Sequence, residues 1–178
     1  MCLAGCLQQN PHASRCTSVD GLPDPVCTPG LTNPNVTQDN IHQTICKSGF
    51  TSAIRPPESY TEKLKMIQII DYGYNDTELS HYEEDHLISL ENGGHPMDPR
   101  NLFPEPYNTR VAGVIMGAHQ KDVVEGFIHD EICYDVPGSK KNSYIPATTS
   151  ITLKRGQEIL ATDWYACYES IKKGKPCR

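Results

Sequence analysis

The sequence predicts an α+β fold with flanking helices and a Cys- and Pro-rich, irregular N-terminal segment. Three observations predict it. Two short strand-like runs flank a Gly93-Gly94 turn, in the stretch YEEDHLISLENGGHPMDPRNLFPEP from residue 82 to 106. Three stretches with helical apolar spacing surround that hairpin. Residues 1–40 carry no periodicity and are dense in Cys, Pro, Asn, Thr and Gly. The length of 178 residues suits one domain. It is assigned to residues 27–178, with 1–26 as an irregular extension.

The elements follow in order. Arg55-Pro56-Pro57 sets an extended lead into a helix over SYTEKLKMIQIIDYG, capped by Ser59 or Thr61 and ended by Gly73. Leu64, Ile67 and Ile70, widened by Met66, form its apolar stripe. A strand is expected over residues 85–90, with His86, Ile88 and Leu90 on one face and Asp85, Leu87 and Ser89 on the other. After the Gly-Gly turn, residues 101–103 return as a second strand, stopped by Pro104. AHQKDVVEGFIHDEIC at 118–133 reads as a helix built on Val124, Phe127 and Ile128. A loop spans 134–147. One last helix, about 152–172, buries Leu153, Ile159, Leu160, Trp164 and Tyr168.

Composition bounds the function. Eight cysteines without a CxxC argue for disulfides and an oxidising compartment, secreted or periplasmic, and against a zinc ribbon. Cys27 and Cys46 bracket one loop and are expected to pair, which would contribute about 3 kcal/mol. Cys133 is matched with Cys167 because each lies in a late helix. The opening Leu3-Ala4-Gly5-Cys6 has the form of a lipobox but lacks the basic and apolar lead that lipidation of Cys6 needs. Asn35 and Asn75 head sequons that matter only in a eukaryotic host. No apolar run reaches the roughly 20 residues that span a bilayer. The net charge of −6 counts against a nucleic-acid partner, although residues 135–178 carry eight Lys or Arg against four acids. Such a tail could grip phosphates, but a solvated helix face is the plainer explanation.

The chemistry-bearing residues are Asp85, His86 and Asn101. DHLISLENGGHPMDPRNL resembles the HNH endonucleases, a branch of the ββα-metal (His-Me finger) nucleases, in which Asp-His is followed by a Gly-Gly turn and Asn-Leu. His86 and Asn101 stand fifteen positions apart, as the pattern asks. CTPG, TIC, RPP, NLFPEP, the Lys121-Asp122-x-x-Glu125 spacing and ATDW extend the likeness to small secreted bacterial HNH-like proteins. The resemblance implies a ββα-metal core over about 83–133 and metal-dependent endonucleolytic hydrolysis of DNA, ahead of RNA, with weak sequence preference. His86 would be the general base, a neutral ring held in one tautomer by a backbone carbonyl. Asp85 would hold a divalent cation, Mg²⁺ first and Mn²⁺, Ni²⁺ or Zn²⁺ as alternatives. Asn101 would either ligate the metal or bond across the loop to align the base. His119 is the first choice for the third ligand, although Pro106 to Gly117 sets it farther along than usual; Asp122 and Glu125 are alternatives. Arg100 and Lys121 are the cations assigned to substrate phosphates, with a Lys121–Glu125 pair at i, i+4 as the plainer role for Lys121.

Other readings stay open. Alone, Asp-His on a hairpin is more often an ordinary polar turn. His81 and His95 fit solvent better than a groove, and Trp164 fits a core better than base stacking. Glu83 and Glu84 point apart on a strand, against glycosidase chemistry. The scaffold could also be catalytically inactive and serve binding, or be a small disulfide domain unrelated to nucleases.

Overall fold

The computed structural model describes residues 15–137 and 150–177. Among them are five helices and two small antiparallel hairpins, an α+β arrangement. The order is α1 (Phe50–Ile54), α2 (Glu58–Asp71), β1 (Tyr82–His86), β2 (Leu102–Pro106), β3 (Arg110–Val111), β4 (Val114–Ile115), α3 (Ala118–Ile132), α4 (Leu153–Thr162) and α5 (Trp164–Lys172). The lipobox-like Cys6 and most of the 134–147 loop fall outside the described residues.

The central hairpin pairs β1 with β2 in the register Tyr82↔Pro106, Glu84↔Pro104, Asp85↔Phe103 and His86↔Leu102. The first strand therefore lies earlier than expected and ends at His86, because the chain then turns Leu87, Ile88 and Leu90 into the core. Pro104 lies inside β2 instead of stopping it. In a two-stranded hairpin each strand has an unpaired side, where a missing N–H costs no ladder bond.

Helix α2 lies within one residue or two of its expected bounds, but Pro57 takes the N-cap position in place of Ser59 or Thr61. Its burial pattern reverses the expected stripe. Met66, Ile67 and Ile70 are exposed, while Lys65, Gln68 and Ile69 are buried. The cause is the open hydrogen bonding of the hairpin. Lys65 Nζ donates to Tyr82 O at 3.2 Å, and Gln68 Nε2 donates to Leu102 O at 2.9 Å and Pro99 O at 3.2 Å. Carbonyls that a wider sheet would pair are met here by a helix's polar face.

Helix α3 supplies the main core through Val124, Phe127, Ile128 and Ile132, packed with Leu160 of α4 and Trp164 and Ile171 of α5. The crossing with α4 is close because position 156 is glycine; a Cβ there would lie 2.7 Å from side-chain carbons of both Ile128 and Ile132. The single last helix expected from the sequence is two. Asp163, at φ −158° and ψ 71°, breaks it, and its Oδ1 accepts from Ala166 N at 3.0 Å to cap α5. Trp164 is fully buried, edge-on to Tyr165 at 4.2 Å, so it packs the core.

Both expected disulfides are corrected. Cys27 joins Cys16, Cys46 joins Cys133, and Cys167 joins Cys177. Bracketing a loop in sequence does not bring its ends together. Cys46 lies beside the C-cap of α3, 5.6 Å from Cys133 between Cα atoms, while the chain after α5 doubles back on Cys167. Among the described residues no helix is long and apolar enough to cross a membrane.

The bridges differ in the chain they enclose, 87 residues for Cys46–Cys133 against 11 and 10 for the others. Replacing Cys46 and Cys133 together by alanine is expected to cost about 4.5 kcal/mol, against about 3 kcal/mol for Cys16 and Cys27. Guanidinium unfolding of the two double variants checks the order.

Candidate functional site

The hairpin loop is built around one amide. Asn101 is fully buried, and its Oδ1 accepts from Ile88 N at 3.0 Å. Its Nδ2 donates to Ile88 O at 2.9 Å and to His95 O at 3.1 Å. The backbone adds Leu87 N to Asn101 O at 2.8 Å. Gly94 fits only without a side chain, since a Cβ would lie 1.7 Å from Ile88 O. Asn92 then fastens the turn to α3 by donating to Glu125 O at 3.0 Å, and Gln157 of α4 donates to Asn92 O at 3.1 Å. Of the two duties foreseen for Asn101, its amide performs the structural one, bonding across the loop.

This loop fixes His86. Its Nε2 lies 2.9 Å from Pro96 O. A carbonyl only accepts, so the neutral ring carries its proton on Nε2 and keeps the Nδ1 lone pair. Burial lowers its pKa, helped by the nearby Lys121 and Arg55 charges, so the ring is neutral at neutral pH. His86 lines a groove of about 360 Å³ with Arg55, Lys65, Glu84 and Tyr107 among its walls. Strand alternation sets Glu84 on the same face of β1 as His86. Both carboxyl oxygens of Glu84 are buried without a hydrogen bond, and burial with repulsion from Asp85 pushes its pKa up to about 9.

Asp85 does not face an open metal position. Its Oδ2 receives Lys121 Nζ at 2.5 Å, and the same ammonium donates to His86 O at 2.8 Å and to Glu125 Oε1. Lys121 is wholly buried. Burial opposes its charge, but Asp85, Glu125 and Glu105 outweigh that and raise its pKa. For Asp85 burial works the same way against charge, and Lys121 overcomes it and holds the carboxyl below its usual range. Glu105 and Glu125 are driven well upward by burial. One ammonium and three carboxyls thus share this interior, and burial works against the charge of every one of them.

The sequence-derived residues are distributed accordingly. Asp85, Lys121 and Glu125 converge. Asn101 is committed to backbone. His119 is exposed at 71 % of its side chain, stands 3.7 Å from Asp122 and rests against Tyr107. Asp85, Asn101 and His119 therefore do not fit a divalent metal as a ligand set, and among the described residues no group of three or more His, Cys, Asp or Glu side chains could hold one. Lys121, assigned to phosphate, cannot reach solvent. The i, i+4 pair with Glu125 does form, but inside the protein. Arg100 is exposed and forked onto Asp98, whose pKa its guanidinium lowers to about 2. His81 is exposed and bonded to Asp76, and His95 accepts from Met97 N and Asp98 N.

Sequence reasoning missed Glu105, Asn92 and the burial of Glu84. A signal existed for Lys121. On α3 its neighbours at i+3, i+4 and i+7 are Val124, Glu125 and Ile128, and two of these belong to the apolar core. No family model, curated protein or solved structure matches the chain.

Two outcomes follow. Asn101→Ala leaves the Ile88 N–H and C=O and the His95 C=O unpaired, at an expected cost of about 3 kcal/mol, read by urea unfolding. Glu84 carries a raised folded pKa, so the stability it gives is complete below about pH 4.5 and is lost as pH rises toward 9. Glu84→Gln is accordingly expected to stabilise the protein, little at pH 5 and by about 2–3 kcal/mol at pH 8, as measured by denaturant melts at both pH values.

Proposed function

We propose that this protein is a secreted or periplasmic phosphodiesterase of the HNH type, hydrolysing nucleic acid with His86 as general base and with little sequence preference. The observation that carries the reading is the single-tautomer, neutral His86 at the end of β1, anchored to Pro96 O and backed by the Asn101 clamp. A base held in this state accepts a proton from water at neutral pH and needs no rearrangement to do so. The contact of α3 with the β1–β2 hairpin through Asp85 and Lys121, although the β3–β4 hairpin intervenes in the chain, supports this reading. Arg55 is exposed at the mouth of the groove and offers a positive charge to a non-bridging phosphate oxygen. The protonated Glu84 keeps the adjoining wall uncharged, which lessens repulsion of a polyanion. Three disulfides suit an oxidising compartment. No step is assigned to a metal, because the three expected ligands do not assemble.

A second reading is a scaffold retired from catalysis and kept for binding. Lys121 favours it, since Asp85 is neutralised from within the protein.

The test is nicking of supercoiled plasmid and of single-stranded RNA by the oxidised protein, with Mg²⁺, with Mn²⁺ and with EDTA, beside His86→Ala. Cleavage that falls by about 10²-fold or more in the variant, the scale of a lost general base, is expected. Folded protein that cleaves neither polymer under any condition leaves the binding reading. Cleavage unchanged in His86→Ala assigns the activity elsewhere.

A further inference from the structure

We propose that the outward face of α2 is a self-association surface, on which a second copy of this chain docks its own α2 antiparallel, with Lys63 of each helix beside the partner's Asp71. The inference does not rest on the HNH-type reading. It starts from the reversed burial of this helix. At about 100° per residue, Lys63, Met66, Ile67 and Ile70 share one side of α2, while Lys65, Gln68 and Ile69 share the other. The second side is held against the hairpin through Tyr82 O and Leu102 O. The first is left to solvent, with Ile67 at 57 % and Ile70 at 64 % exposed and Met66 at 47 %. Three large apolar side chains on one side of one helix form a continuous patch, unlike the scattered exposure that needs no explanation.

The charges that flank the patch select its occupant. Lys63 is exposed one turn before Ile67, and Asp71 stands one turn after it, at the edge of the same face. A complementary surface needs an apolar centre with an anion at one end and a cation at the other, and a second α2 supplies all three. A parallel pairing would set Lys63 against Lys63. An antiparallel pairing about Ile67 sets Lys63 beside the partner's Asp71 at both ends, and the two-fold axis makes the two ion pairs identical. Asp71 already has Arg15 beside it, but at 3.8 Å and on a guanidinium that is itself 83 % exposed, a loose contact that leaves the carboxylate able to take a second cation. The 14 residues of α2 make a helix about 21 Å long. The contact therefore falls at the small end for specific interfaces, below about 1,200 Å² in total, and the dimer is weak, with a Kd of about 10–100 µM. Glu58, Thr61 and Lys65, which line the groove beside His86, point away from this face, so the groove does not meet the partner.

Sedimentation equilibrium of the oxidised full chain, from about 5 µM to about 1 mM to bracket that Kd, tests this beside Ile67→Glu, Lys63→Glu, Asp71→Lys and the double variant Lys63→Glu with Asp71→Lys. Non-reducing electrophoresis sets apart any covalent dimer made through Cys2 or Cys6, which lie outside the described residues. The wild type is expected to dimerise reversibly. Ile67→Glu, which places a charge at the centre of the contact, is expected to abolish dimerisation over this range while leaving the urea midpoint of the monomer unchanged, because the position is exposed. Each single charge reversal should weaken the dimer about tenfold, since the two-fold axis applies the change twice. The double variant restores both pairs with their signs exchanged and should return the association to the wild-type value. A chain that stays monomeric at about 1 mM overturns the proposal and leaves the stripe to a different partner. A dimer that Ile67→Glu does not weaken places the interface elsewhere and overturns it too. A double variant no tighter than the single ones overturns the antiparallel pairing. If Ile67→Glu does not fold, the charge reversals decide.

Discussion

An ammonium group survives in a protein interior only when charge and hydrogen bonds meet it there, and β1 and α3 are arranged around one. Lys121 reaches from α3 to Asp85 and His86 of β1 and returns to Glu125 one helical turn along its own helix. Breaking such a set by removing one partner typically costs about 3–5 kcal/mol, since a charge is left without compensation. The contact therefore fixes the distance and rotation of the helix against the hairpin. Because it includes the His86 carbonyl, it also fixes the backbone that carries the imidazole.

The loop between the strands completes that positioning. Asn101 does by side chain what a third strand would do by backbone, pairing both polar groups of Ile88. Its further bond to His95 O holds the chain one residue before Pro96, whose carbonyl accepts from His86. The glycine at 94 lets the turn close onto Ile88 O. Each link is short, so the ring orientation of His86 follows from this loop, while Lys121 of α3 holds the backbone that carries it. Asn92 adds the tie to α3 and α4.

These local links are what the sequence made legible. Asp85, His86, Gly-Gly and Asn101 lie within seventeen positions, and their pattern implied the hairpin; the carbonyl-anchored imidazole, and a clamp by Asn101 as one of two roles beside metal ligation, were what the HNH resemblance implied. What the sequence hid depends on long-range packing. The reversed burial of α2 arises because Lys65 and Gln68 answer carbonyls of a hairpin that lacks a third strand, a demand no helical periodicity reveals. The cysteine partners were hidden for the same reason, since Cys46 meets Cys133 across the core at a separation of 87 residues. Lys121 and Glu125 were legible as an i, i+4 pair but not as a buried one. An apolar helix that carries such a pair among core positions signals that its charges face an interior partner.

The acidic balance of the chain bears on function through this same interior. Seven carboxyls, Glu83, Glu84, Asp85, Glu91, Glu105, Asp122 and Glu125, lie on or beside the hairpin and α3, which as anions would repel a phosphodiester strongly. Burial, reinforced by their mutual repulsion, raises the pKa of all of them except Asp85, which Lys121 holds as the anion. At the groove wall this takes away the Glu84 charge, whose pKa is pushed up to about 9, and so removes part of the repulsion that the residue count implies. Net charge read from composition overstates the negative field at the groove, where the exposed guanidinium of Arg55 stands near an uncharged Glu84 and a neutral imidazole. A −6 chain with such a groove is compatible with a polyanionic substrate, and it becomes more so as pH falls toward the range in which the less buried Glu83 and Asp122 also take up protons.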